Sequence, residues 1–112
     1  MSLGSHRCHT GAAGHLGPQH SGSIGNVAAI EVWIPAGYVG IGATHLQVRE
    51  VFDDGIGWDE IPCNVQKHHI RFDDCRWEKD ADGAMYWKGR VTNEDESNMK
   101  RWRVIIDYEM PA

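Results

Sequence analysis

The chain has 112 residues, 41% of them apolar and 24% charged, with a formal net charge of −5. This length fits one domain with a thin core, and the composition is that of a globular protein. No apolar run approaches the ~20 residues of a membrane-spanning helix, and an acidic chain repels a phosphate backbone, so neither a membrane nor a nucleic-acid partner is expected.

The charge is unevenly spread. All sixteen acids and ten of the eleven bases lie in residues 27–112, which therefore carry −6. Residues 1–26 are rich in Gly, Ser and His, with one Arg and no acid. Little in them is apolar or periodic. They read as a tail, flexible or pinned against the domain or a neighbouring subunit, and residues 27–112 as a single β-rich globular domain. The four His of the tail (His6, His9, His15, His20) and Cys8 match no standard zinc spacing. No apolar segment follows Arg7 as a secretory signal requires, so a cytoplasmic location is expected. The cysteines Cys8, Cys63 and Cys75 are odd in number and form no CxxC pair, which points to free thiols in a reducing compartment.

Residues 27–34 are β-branched and aromatic and end at Pro35, so they read as a strand. Residues 36–42 alternate glycine with larger side chains without a phosphate-loop pattern, as in a Gly-rich connection or an irregular strand. Residues 44–55 carry two signals. Thr44 and Gln47 form a capping box, Val48, Val51 and Phe52 share a helical face, and Gly55 sits where a helix terminator belongs. The alternation of Leu46 and Val48 fits a strand instead. The helical signs lead to one short helix near 45–53.

Further on, residues 66–72 read as a strand that places His68, Ile70 and Phe72 on one face and His69 and Arg71 on the other. Asp73 and Asp74 mark a bulge or corner, and 74–79 resumes a strand. Residues 80–83 form a turn. Glu78, Asp80, Asp82 and Gly83 have the spacing of half a calcium loop, but Gly89 stands where that loop needs its bidentate Glu. Residues 84–92 and 101–109 alternate apolar with polar residues around a polar segment, and read as a long antiparallel hairpin. Its apolar face would carry Trp87, Val91, Trp102, Val104, Ile106 and Tyr108.

The expected fold is thus β-rich α+β: an antiparallel sheet of about five strands with one short helix near 45–53. An all-β barrel or sandwich is the alternative if 45–52 is a strand. The expected core is Ile30, Val32, Ile34, Leu46, Val48, Phe52, Ile70, Phe72, Trp87, Val91, Val104 and Ile106.

No Gly-x-Ser-x-Gly elbow, HExxH, CxxC or Walker motif is present. The acid–base candidates are His68 and His69 with Asp73 and Asp74, a histidine near neutral pKa beside a carboxylate being the usual general base. A zinc site from Cys63, His68 and Cys75 lacks standard spacing, so no metal and no cofactor are expected. Five Trp exceed what so small a core need hold. Trp33, Tyr38, Trp58, Trp77, Tyr86, Trp87 and Trp102 are therefore the candidates for a ligand pocket or subunit interface. The cluster Lys100, Arg101, Arg103 follows Glu94, Asp95 and Glu96, and local charge pairing is expected of it.

The leading functional expectation is a small non-catalytic binding or assembly protein. It would be a homo-oligomer, a dimer above all, with an aromatic-lined pocket for a small apolar or aromatic ligand or a subunit interface. The alternative is a small enzyme of hydrolase or isomerase type built on the His/Asp pair.

Overall fold

The computed structural model describes residues 7–20, 24–43, 46–50 and 58–111. In chain order the elements are β1 (Arg7–Leu16), a 3₁₀ turn (Ile24–Asn26), β2 (Val27–Trp33), β3 (Val39–Ala43), β4 (Leu46–Glu50), β5 (Asp59–Ile61), β6 (Val65–Lys67), β7 (Ile70–Lys79), β8 (Met85–Asn93) and β9 (Lys100–Glu109). They form two antiparallel sheets. One runs β1-β9-β4-β5 with β3 also on β9, and the other runs β2-β8-β7-β6.

β9 is the spine of the first sheet. β1 lines one of its edges over ten residues, from Arg7 opposite Glu109 to Leu16 opposite Lys100. Its other edge is shared: β3 covers the end near Glu109, and β4 covers the end near Lys100. The sheets pack face to face. Leu16, Leu46, Val48, Ile61, Trp102, Val104 and Ile106 from one meet Ile30, Val32, Ile34, Ile70, Phe72, Trp87 and Val91 from the other. Each such burial is worth about 1.5–3 kcal/mol, which makes this layer the main source of stability. Every residue expected in the core is in it except Phe52, which lies outside the described residues.

The hairpin expected over 84–109 does not form. β8 pairs with β2 and β7, whereas β9 pairs with β1, β3 and β4. The alternation is real, since Trp87, Gly89 and Val91 are buried on β8, and Trp102, Val104 and Ile106 on β9. Alternation places side chains on faces and leaves the choice of edge partner open. Here the two apolar faces cover each other across the core, and residues 94–99 arch between the sheets.

Polar side chains hold this arch. Asn93, fully buried, donates through Nδ2 to the Gly17 and Asn98 carbonyls, each at 2.9 Å, and accepts from the Asp95 amide at 3.0 Å. Asp95 Oδ1 accepts from the Ser97 amide (2.9 Å), the Ser97 hydroxyl (3.0 Å) and the Asn98 amide (3.2 Å). Its Oδ2 accepts from Lys100 Nζ at 3.1 Å, and Lys100 is only 1% exposed. Backbone bonds from Gln19 to Asp95 and from Glu94 to His69 pin the arch on both sides.

The helix expected near 45–53 is corrected where the chain is described: 46–50 is β4, and 45 and 51–53 lie outside the described residues. Leu46 and Val48 point into the core, while Gln47 and Arg49 point out. Pairing with β9 and β5 satisfies the backbone here, and short-range helical signals yield to it. Among the described residues there is no α-helix. A mixed α+β fold therefore gives way to two β-sheets.

The strand expected over 66–72 is instead a hairpin, β6 to β7, joined by His68 and His69. Both turn residues have positive φ, 53° and 63°, as a type I′ turn needs. Histidine enters that region more readily than most residues. The break near Asp73 and Asp74 is a bulge inside β7, where the register shifts and Asp74 has φ 59°. Bulges re-aim side chains, and within this one Cys75 bonds Cys63, with the Cα atoms 6.2 Å apart. The free-thiol expectation is thus wrong for these two; Cys8 takes no part in the bridge. Parity of count said nothing about a pair brought together by the β6–β7 hairpin.

Residues 7–16, poor in apolar side chains, are a strand because β9 offers them a complete backbone ladder. Close approach is required: a Cβ on Gly11 would lie 2.2 Å from the Val104 carbonyl oxygen. Gly40 serves β3 similarly, with the Trp77 indole lying over it.

Candidate functional site

The aromatic candidates fall into three environments. Trp87 and Trp102 are core residues; Trp87 sits 5.9 Å from the Phe72 ring, and Trp102 packs beside Gly14 of β1. Trp77 is half-buried over Gly40, and Tyr38 meets Tyr108 edge to face at 5.2 Å. Trp33, Tyr86 and Trp58 lie on the outer faces.

On the outer face of the β8 sheet, Trp33 stacks on Tyr86 with centroids 4.2 Å apart. Trp33 Nε1 donates to Glu31, and the Tyr86 hydroxyl donates to Glu78 at 2.7 Å. Glu78 also pairs with Arg76, which pairs with Asp74. The hydrogen bond from Arg76 lowers the Glu78 pKa, and the bond to Glu78 raises that of Tyr86. This ladder pairs its charged and polar groups with one another.

The acid–base candidates are not brought together as dyads. Asp73 accepts two hydrogen bonds from Arg90, at 2.9 and 3.0 Å, which lower its pKa, and Asp74 pairs with Arg76. His68 meets a different carboxylate, Asp59 of β5, at 2.8 Å, with both side chains about half exposed. That contact links the edges of the two sheets. His69 occupies the turn, exposed, and its carbonyl accepts from the Glu94 amide. Water has free access to these groups, so they lack the enclosed setting in which a general base gains its advantage.

The outer face of the β9 sheet is different. Alternation along β9 splits the basic cluster seen in the sequence. Lys100 points inward to Asp95, while Arg101 and Arg103 point outward. Registers then align two rows across the strands: His15, Arg101 and Arg49 in one, and Ala13, Arg103, Gln47 and Glu60 in the next. Trp58, just before β5, completes the site. The Arg103 guanidinium lies 4.1 Å from its ring centroid and that of Arg49 lies 5.4 Å away. Arg103 also donates to Gln47 Oε1, which orients it.

Because Ala13 and Gly14 are small beside these long side chains, a groove of about 360 Å³ opens here. It is lined by Ala13, Gly14, His15, Trp58, Arg101, Trp102 and Arg103. Such an arrangement can stack a flat group and offer several N–H donors to one acceptor. Of the aromatic candidates, Trp58 and the edge of Trp102 reach it. Arg49, Arg101 and Arg103 escaped sequence reasoning as a set. The outward phase of Arg101 and Arg103 was legible, but Arg49 joins them only once 46–50 is a strand. Among the described residues no cluster of His, Cys, Asp and Glu could hold a metal ion, and the calcium-like run 78–83 is a turn in which Asp80 Oδ1 accepts from two backbone amides.

No protein family matches this chain, and no curated protein or solved structure is detectably similar to it. Among the described residues, no helix is long and apolar enough to cross a membrane.

Proposed function

We propose that this is a non-catalytic binding protein whose recognition surface is the groove on the outer face of the β9 sheet. The carrying observation is Trp58, held at the surface over Arg49 and Arg103 beside a cavity of about 360 Å³. That volume lies within the range of small-molecule sites. The test is a fragment screen on ¹⁵N-labelled protein. Compounds that bind should move the Trp58 indole N–H resonance and lose that effect in Trp58→Ala. If no compound perturbs Trp58, or all binders map elsewhere, the reading falls.

A second reading, self-assembly, is favoured by β1. It is a ten-residue edge strand that pairs only with β9 among the described residues. A long open edge is a template for another strand. Antiparallel pairing with β1 of a second copy, centred on Ala12, would set His9 opposite His15 and bring no like charges of Asp, Glu, Lys or Arg together. Light scattering decides it: a dimer mass at micromolar concentration supports the reading, and a monomer mass overturns it. The Cys63–Cys75 bridge favours an oxidising compartment over the cytoplasmic location expected from the sequence.

A further inference from the structure

We propose that the groove binds a small organic oxyanion, a carboxylate or a phosphate monoester, gripped by Arg101 and Arg103. This rests on the reading of the groove as the recognition surface.

Two arginines, Arg101 and Arg103, line the groove against the trend of the chain, with Arg49 beside them on β4. The net charge is −5, yet Arg49 stands directly opposite Arg101, and Arg103 is the next outward residue along β9. Like charges on facing positions oppose sheet formation. On the other sheet the arginines have carboxylate partners: Arg71 with Glu94, Arg76 with Asp74 and Glu78, Arg90 with Asp73. Among the described residues, no carboxylate pairs with Arg49, Arg101 or Arg103. Among the described residues, an acidic chain has thus gathered three guanidiniums without carboxylate partners on one sheet face.

The second observation is Trp102, which lines the groove, is 8% exposed, and has a buried Nε1 with no hydrogen-bond partner. Buried N–H groups in native proteins nearly always have an acceptor, and a missing one calls for a reason. A bound oxyanion supplies it. Trp58 and Gln47 meanwhile hold Arg103 in place. Guanidiniums fixed before binding lose less freedom when the ligand arrives.

Size and charge decide the ligand class. The groove accommodates one small molecule rather than a polymer, and the negative field of the chain as a whole repels a polyanion. The oxyanion would sit between Arg101 and Arg103, where planar forks bind carboxylate or phosphate through paired N–H donors. Its apolar part would rest against Trp58 and Ala13.

The test is a titration of ¹⁵N-labelled protein at fixed ionic strength. The probes are benzoate, phenyl phosphate, inorganic phosphate and neutral benzyl alcohol. The readouts are the Arg101 and Arg103 Nε–H and the Trp58 indole N–H resonances. Benzoate or phenyl phosphate should give saturable shifts at all three positions and bind at least tenfold more tightly than benzyl alcohol. Arg101→Gln should weaken the anions about tenfold, as loss of one charge-assisted bond implies, without lowering the melting midpoint, since it also relieves the repulsion with Arg49. Arg101→Lys should recover part of that loss. The stronger of benzoate and phenyl phosphate assigns the anionic group. If benzyl alcohol binds as well as the anions, the inference is overturned while the groove stands as a binding site. If a single-stranded oligonucleotide saturates the same resonances more tightly than phenyl phosphate, the small-molecule assignment is overturned. If neither these probes nor the fragment screen perturbs Trp58, the inference and the binding function fall together.

Discussion

Asp95 is the residue on which the arch between the sheets depends. Its carboxylate accepts two backbone amides, a hydroxyl and the ammonium of Lys100 within one loop. Lys100 is 1% exposed and Asp95 12% exposed on their side chains, so the pair is far from a surface ion pair in bulk water. Asp95→Asn keeps an oxygen for the Ser97 and Asn98 amides but turns an NH2 group toward the Lys100 ammonium. Breaking a buried pair from one side costs about 3–5 kcal/mol. Asp95 is not the sole contact of Lys100, which places the expected loss near the lower end, ~3 kcal/mol. For a chain of this size, each kcal/mol lowers the melting midpoint by about 4–8 °C.

The pH dependence tests the same idea independently. Hydrogen bonds from the Ser97 backbone, followed by the Lys100 ammonium, hold the Asp95 pKa well below the usual carboxylate range. Above pH ~5 the carboxylate is ionised in both folded and unfolded chains, and its contribution is complete. As the pH falls below that point, the unfolded chain takes up the proton and the folded chain resists it. Stability is then lost at about 1.4 kcal/mol per pH unit. Asp73 and Glu78 titrate in the same direction, so the informative quantity is the difference between parent and variant. Urea unfolding at pH 7, 4, 3 and 2.5 measures it. The gap should be largest at pH 7 and shrink below pH ~5. A gap within ~0.5 kcal/mol at pH 7, or one unchanged by acid, would refute the assignment.

Removing the disulfide by a Cys63→Ser, Cys75→Ser double substitution opens a loop with a sequence separation of 12 and should cost roughly 3 kcal/mol. Non-reducing peptide mapping checks the pairing first, and a Cys8-containing bridge would contradict it. Gly40→Ala puts a methyl group 2.4 Å from the Trp77 ring, an overpacking that should cost about 1–3 kcal/mol in chemical unfolding and alter Trp fluorescence. Gly11→Ala meets backbone rather than a side chain, so β1 should loosen and become open to limited proteolysis while the rest of the core melts cooperatively. The arch itself has an NMR signature. Backbone NOEs should connect Val32 with Trp87 and Ala12 with Val104, and none should connect β8 with β9.

Local pattern reaches far in this protein, and its limit has one physical cause. Period-two alternation placed the buried faces of β2, β8 and β9 and named most of the core, because burial of an apolar face depends on the residue itself; Leu16 and Ile61, read as tail and loop, joined the core only through β1 and β5. The bulge at Asp74 and the turn after Lys79 were legible for a similar reason: both reflect local backbone preference. Strand partners were not legible, since ladder hydrogen bonds join main-chain groups that every residue carries. The segment 84–109 therefore reads equally as a hairpin or as an arch, and only the competition of β1, β2, β3, β4 and β7 for the edges of β8 and β9 decided it. That competition also turned 46–50 into a strand and ordered the Gly-rich stretch 7–16. It brought Cys63 to Cys75, gave His68 to Asp59 instead of Asp73, and set Arg49 beside Arg101 under Trp58. Each of these meetings joins residues on different strands, so each was decided by tertiary pairing and not by the neighbours along the chain.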